Sequence, residues 1–200
     1  MSSLLESRNL SLMRNDHYII KDLSIEISPK TVVNIFGNNG SGKTSFLKVL
    51  SGITEKTNGV ILRNNVDVVY VGHKYGLKSN LTIHENLALD NLQDKVIPSK
   101  EIDNVIKKYQ MIDYKDTLVK NLSHGQQKRV CLMRTILINS NLWLLDEPYS
   151  ALDSKGVDIL NNTIKEAVSN GVAVLMTNHK KIEIEELNVK NLKLEDGKIQ

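Results

Sequence analysis

Residues 32–51 read VVNIFGNNGSGKTSFLKVLS. Val32 to Phe36 is an apolar run of strand length, and Lys43 to Leu50 carries apolar residues at helical spacing. Between them Gly37-Asn38-Asn39-Gly40-Ser41-Gly42-Lys43-Thr44 fits G-x-x-x-x-G-K-[ST] in the strand–turn–helix context that such a loop requires. Glycines allow a tight turn and keep side chains away from the main chain. Successive backbone N–H groups then form an anion nest at a helix N-terminus, suited to a run of phosphates. Lys43 is placed to reach the outer phosphates, and the Thr44 hydroxyl is a ligand for Mg²⁺. Ser45 follows with no role assigned.

Working outward, Leu10 to Met13 and Leu23 to Ile27 are short strand-like runs before the loop, and Val66 to Val71 is another after it. From 73 to 138 the spacing is helical: Ile83, Leu87 and Leu89; Ile102, Ile106 and Tyr109; Val130, Met133 and Ile136. Thr82 to Glu85 and Ser123 to Gln126 have the capping-box form. Strand character returns at Leu142 to Leu145 and Val172 to Met176, and Leu192 to Ile199 suits a hairpin around Asp196-Gly197. Strands alternating with helices imply an α/β fold with a mainly parallel sheet and ligands at the carboxyl ends of its strands. The expected division is a nucleotide-binding core of residues 1–72 and 139–200, with an inserted helical subdomain at 73–138.

The apolar run ending at Leu145 leads into Asp146-Glu147-Pro148. Carboxylates at the end of a buried strand, in a chain with a phosphate loop, point to metal-assisted hydrolysis. Asp146 would serve the magnesium shell, and Glu147 would orient or deprotonate the attacking water. Asn121 to Arg129 then forms a second helix start. Ser123 and the N–H of Gly125 are suited to another phosphate, and a capping box leaves spare donors.

Composition narrows the class. The chain has 200 residues, 40% hydrophobic and 24% charged, with net charge +3. No block of like charge marks a nucleic-acid arm, and no apolar run approaches the ~20 residues of a membrane span. The N-terminal MSSLLESRNL lacks a signal-peptide core. One cysteine, Cys131, allows no intrachain disulfide and suggests no metal cluster.

Leu122-Ser123-His124-Gly125-Gln126 resembles the signature motif of ABC ATPases, and the resemblance spans nearly the whole chain. Asp146-Glu147 resembles the family's second acidic motif, Ser150-Ala151-Leu152-Asp153 its D-loop, and His179 its switch histidine. The resemblance implies a P-loop NTPase core with an added antiparallel β subdomain, and ATP with Mg²⁺ as cofactors. It implies head-to-tail pairing with a second copy, in which Ser123, Gly125, Gln126 and Asp153 line the partner's nucleotide and His179 touches the terminal phosphate. The chain departs from the family at His124, where glycine is usual, and at His73, where the Q-loop glutamine is expected. Tyr18 is the candidate adenine-stacking aromatic.

Gly72-His73, Gly76-Leu77-Lys78 and Leu81-Thr82 with Glu85-Asn86-Leu87 are similar to the CcmA-type ATP-binding subunits of cytochrome c maturation complexes. That group implies integral membrane subunits as partners and no nucleic acid. It places the chain peripherally, at the cytoplasmic face of a bacterial inner membrane or the matrix face of a mitochondrial one, held to the membrane only through partners. No C-x-x-C-H haem site is present. Two alternatives stay open: the ATPase of another ABC exporter for lipid, drug or peptide, and a soluble ABC ATPase not tied to transport.

Overall fold

A computed structural model describes residues 3–89 and 97–200. Residues 90–96 of the expected helical segment lie outside the described residues. Contacts divide the chain into two compact units. The first contains Met1–His73, Ser140–Pro148 and Ile164–Gln200; the second contains Lys74–Asn139 and Tyr149–Thr163. The second unit therefore takes in 149–163, a return of the chain that the boundary drawn at 138/139 does not include.

The first unit opens with β1 (Leu5–Arg14), β2 (His17–Ile27) and β3 (Val32–Phe36), followed by α1 (Lys43–Ser51), β4 (Asn58–Arg63) and β5 (Val68–Val71). β1 pairs with both β2 and β4 to make a three-stranded antiparallel sheet, the expected β subdomain. Along β2, Leu23, Ile25 and Ile27 are buried while Ser24 and Glu26 are exposed, the alternation of a strand with one wet face. β4 gave no such signal. Val60 and Leu62 stay largely exposed on it, so its side chains do not sort into an apolar and a polar face.

The second unit holds α2 (Ile83–Leu89), α3 (Ser99–Lys108) and α4 (His124–Leu137), with one-turn 3₁₀ segments at Ile112–Tyr114 and Val119–Asn121. β6 (Leu142–Asp146) follows in the first unit, and α5 (Ser154–Ser169) divides between the units at 163/164. β7 (Ala173–Asn178), β8 (Val189–Glu195) and β9 (Lys198–Ile199) complete the chain. The main sheet runs β5-β6-β7-β3-β8-β9, parallel except for the closing hairpin β8–β9. That hairpin turns at Asp196 (φ 47°) and Gly197 (φ 73°), the double left-handed geometry of a two-residue turn.

Every residue of β6 and β7 is buried, which is why both read as unbroken apolar runs. Leu142, Leu144, Ala173, Leu175, Val33 and Ile35 share one core with Phe46, Leu47 and Leu50 of α1. Each buried Val, Leu, Ile or Phe side chain among these contributes about 1.5–3 kcal/mol, so α1 is held firmly on the sheet. Asn34, buried at the centre of β3, donates to Asn191 Oδ1 (2.7 Å) and the Lys180 carbonyl (3.1 Å) and accepts from Asn178 (2.8 Å). This network satisfies its polar groups inside an otherwise apolar layer.

Both expected capping boxes form. At α2 the Thr82 hydroxyl accepts from Glu85 N (3.1 Å) and a Glu85 carboxylate oxygen accepts from Thr82 N (2.8 Å). One turn on, Asn86 is buried. It accepts from Lys78 N (2.8 Å) and donates to the carbonyls of Lys78, Leu81 and Thr82. This clasp shapes the loop from Lys78 to Thr82. Asn86→Ala leaves those backbone groups without their partner and is expected to lower stability by about 2–3 kcal/mol, measured as a shift of the urea midpoint. An unchanged midpoint would show that water replaces the clasp.

Candidate nucleotide site

The phosphate loop follows β3 and runs straight into α1. Gly42 precedes that helix with φ 101°, and no side chain caps it. The first N–H groups of α1 are therefore left for an outside acceptor, at the positive end of the helix dipole. The loop glycines divide their work in a way the motif alone did not show. A Cβ on Gly37 would come within 2.3 Å of the Leu194 carbonyl, and one on Gly42 within 2.7 Å of the Ile19 carbonyl, so these two serve packing. Only Gly40 (φ 81°) would meet nothing within 4 Å, and it marks the open mouth of the nest. Lys43, almost fully buried, donates to the carbonyls of Gly37 (2.8 Å) and Asn38 (2.9 Å), which spans its ammonium across the loop. The Ser41 hydroxyl is buried and lacks a hydrogen-bond partner.

These features fit a polyphosphate: open donors, a fixed ammonium and an orphaned hydroxyl. The cleft beside them, about 560 Å³, is lined by Tyr18, Asn38, Asn39, Gly40, Ser41 and the β8–β9 turn. That volume falls within the roughly 300–1,000 Å³ of small-molecule clefts. Tyr18 is half exposed at its edge, with the Lys21 ammonium 5.6 Å from its ring centroid. Lys21 N donates to the Gly197 carbonyl (2.9 Å), joining β2 to the far wall of the cleft.

Asp146 ends β6, buried, with its Oδ1 accepting from Thr44 (3.1 Å) and from Thr177 (2.7 Å). A carboxylate and a hydroxyl in contact at the phosphate loop form a suitable oxygen pair for Mg²⁺. Glu147 follows with φ 47°, a left-handed conformation that costs free energy in a non-glycine residue. Its N–H donates to both the carbonyl (3.1 Å) and the hydroxyl (3.2 Å) of Thr177, which hold that turn. Its carboxylate lies 3.3 Å from His179 Nε2, just past the end of β7. Lys43, Thr44, Asp146, Glu147 and His179 thus converge within the first unit. Thr177 belongs with them and was missed, because a threonine within an apolar strand carries no motif.

The signature residues form a separate cluster in the second unit. Ser123 caps α4: its hydroxyl accepts from Gln126 N (3.2 Å), and Gln126 Oε1 accepts from Ser123 N (2.9 Å). Gln126 is therefore committed to the cap through its carbonyl oxygen. Gly125 has a packing reason as well, since a Cβ there would lie 2.6 Å from the Ala151 carbonyl. Asp153 accepts from Gly156 N (2.8 Å) at the start of α5 and pairs with Arg129. The Gly156 N–H and then the Arg129 guanidinium hold its carboxyl below the usual range. A cleft of about 480 Å³ opens here, lined by Ser123, Gly125, Gln126, Arg129, Ala151 and Asp153.

His73 is exposed just after β5, and His124 is exposed in the first turn of α4. The segment following His73 is tied to α4: Arg134 donates to the carbonyls of Tyr75 (2.7 Å) and Gly76 (3.3 Å), and the Lys128 ammonium lies 5.6 Å from the Tyr75 ring centroid.

The family model described as ABC transporter matches residues 20–150. The chain belongs to the ABC transporter family. Within that family it is similar to the cytochrome c biogenesis ATP-binding export protein CcmA of Yersinia pseudotuberculosis, at 35% identity over 94% of this chain and 92% of that one. It is similar at 32% to the protein of the same name from Vibrio parahaemolyticus, over 96% of this chain and all of the other. Among solved structures, an ATP-binding subunit of an ABC transporter superposes with TM-score 0.88 at 20% identity, covering 98% of this chain and 88% of that chain. A dimeric ATP-binding cassette in a post-hydrolysis state with ADP and phosphate superposes with TM-score 0.82 at 22% identity, covering 98% and 96%. At those identities the structural likeness concerns the fold. The chain is an ABC-type ATP-binding subunit.

Because Ala151 presents a backbone oxygen to Gly125, the added methyl of Gly125→Ala cannot be relieved by a side-chain rotation. This variant is expected to lose about 1–3 kcal/mol of stability, measured by chemical denaturation. Stability equal to that of the parent chain would return Gly125 to a role in ligand approach alone.

Proposed function

We propose that this subunit hydrolyses ATP with Mg²⁺ between two copies of itself and transmits the resulting opening and closing to integral membrane subunits. The observation that carries this reading is the convergence in the first unit. The uncapped start of α1 and Lys43 face a polyphosphate; the Thr44–Asp146 pair is suited to the cation; Glu147 and His179 stand side by side at the strand ends. Bound Mg²⁺ would supply charge neutralisation on the phosphates. Glu147 holds and deprotonates the attacking water, and its strained backbone, pinned by Thr177, fixes that carboxylate before substrate arrives. His179 steadies Glu147 and offers a donor to the charge that grows on the terminal phosphate. Tyr18 supplies the aromatic face for the base.

The second unit complements this set. Ser123 and Gly125 present the capped N-terminus of α4, whose remaining donors suit the terminal phosphate held by another copy. Asp153, held by Arg129 and the start of α5, keeps the adjoining loop in place. Donors supplied from a second chain act as an arginine finger does, an effect worth about 10³–10⁵ in rate.

The names of the CcmA relatives, together with Gly72-His73 and Gly76-Leu77-Lys78, support cytochrome c maturation as the process served. On this reading the subunit lies at the cytoplasmic or matrix face and reaches the membrane through partners. No helix among the described residues is long and apolar enough to cross a membrane. The Arg134 and Lys128 contacts hold the segment after His73 in a defined shape, which suits a fixed docking surface. Affinity capture from native membranes is expected to retrieve cytochrome c maturation membrane subunits; retrieval of a lipid, drug or peptide exporter instead would reassign the process.

Glu147→Gln is expected to reduce phosphate release at least about a hundredfold, the range of a lost general base, while ATP binding and ATP-dependent pairing persist. Turnover near the parent rate would remove Glu147 from the chemistry. A complementation assay tests the shared sites. Lys43→Ala and Ser123→Arg chains, each inactive alone, should regain part of the activity when mixed, because one composite site in the mixed pair is intact. Absence of recovery would count against donors in trans.

A further inference from the structure

Tyr70 lies on β5 with its hydroxyl buried and without a hydrogen-bond partner. Buried polar groups are normally satisfied, so such a hydroxyl calls for an explanation. In the parallel pairing Tyr70 stands opposite Leu144 and Val71 opposite Leu145. Continuing one residue brings Gly72 level with Asp146. Residues two apart on a strand share a face, so Tyr70 stands on the same face of the sheet as Asp146. The phenol also leans along the strand toward its carboxyl end, since a Cβ on Gly72 would lie 2.9 Å from both the Tyr70 hydroxyl and its Cε1. Gly72 therefore makes room for the ring. Burial first, and then the charge of Asp146, push the pKa of Tyr70 above that of an ordinary phenol, so it keeps its proton and can both donate and accept.

The hydroxyl is thus directed toward the end of the sheet where Thr44 and Asp146 meet. A Mg²⁺ ion held by only one or two protein oxygens keeps several of its waters, and those waters need acceptors and donors. His73 is exposed, whereas Tyr70 is half-buried, with its hydroxyl fully enclosed, next to the strand that carries Asp146.

We propose that Tyr70 is a positioning residue whose hydroxyl hydrogen-bonds the water shell of the divalent cation held at Thr44 and Asp146, with Gly72 present to let the ring lie there. This rests on the nucleotide reading given above. It accounts for the glycine of the Gly72-His73 pair by packing and leaves the histidine free of that duty.

The full-length chain is titrated with Mn²⁺, followed by electron paramagnetic resonance, in the presence of a non-hydrolysable ATP analogue. Tyr70→Phe is expected to weaken Mn²⁺ uptake about three- to tenfold, the worth of one hydrogen bond to an ordered water. Binding of the analogue without metal should stay unchanged, and the nucleotide-free melting temperature should not fall, because the lost hydroxyl had no partner. Gly72→Ala, which keeps the hydroxyl and displaces the ring, should weaken Mn²⁺ uptake as well. Parent-like Mn²⁺ affinity in Tyr70→Phe overturns the proposal. So does an equal loss of metal-free analogue binding, which would mean that Tyr70 supports the loop. So does a loss of Mn²⁺ affinity in His73→Ala with none in Tyr70→Phe. If the parent chain takes up no Mn²⁺ with the analogue, the nucleotide reading itself fails, and this inference with it.

Discussion

A single buried carboxylate oxygen organises the first unit. Asp146 Oδ1 accepts from Thr44 at the start of α1 and from Thr177 near the end of β7. Three elements distant in sequence are thereby brought to one point at the rim of the sheet. A charged group with almost no exposure is tolerable only when such donors surround it. The same hydroxyls that make it tolerable in the folded chain belong to the residues from which the proposed nucleotide site is built. Thr177 then uses both its carbonyl and its hydroxyl to hold the backbone of Glu147 in an unfavourable conformation. One side chain that no motif marks thus ties the buried carboxylate to the backbone of the residue after it.

The two helix starts show how one physical device is put to different ends. α1 begins at a left-handed glycine with no side-chain cap, so its donors remain open. α4 begins with a reciprocal box between Ser123 and Gln126, so part of its donor set is already satisfied within the chain. The first arrangement suits a site that must grip several phosphate oxygens. The second suits a surface that must keep its shape when exposed and engage a ligand only partially.

The sequence was most readable where geometry imposes residue type. The phosphate loop, the buried run into Asp146-Glu147, both capping boxes and the Asp196-Gly197 turn each need particular residues at particular positions, and each stands where expected. β4 was unreadable because Val60 and Leu62 are exposed and break the two-faced pattern. α5 did carry a signal that went unused: Leu160, Ile164 and Ala167 with Val168 are buried at helical spacing, behind the cap Asp153 and before the stop at Asn170-Gly171. Gly37, Gly42 and Gly125 carry a packing requirement that the motifs did not disclose, for a different reason. A motif reports that a side chain is missing, and not which neighbour requires its absence; for all three that neighbour is a backbone carbonyl of the same chain.

The far wall of the cleft beside the phosphate loop is made by the turn at Asp196-Gly197, and Gly197 packs against the backbone of Ile19 and Ile20 while its carbonyl accepts from Lys21. The cleft is thus framed by two stretches far apart in sequence, β2 and the β8–β9 turn, with the phosphate loop between them. Its walls meet only once that long-range contact is made, so the shape of the cleft reports on the completed first unit and not on any one local segment.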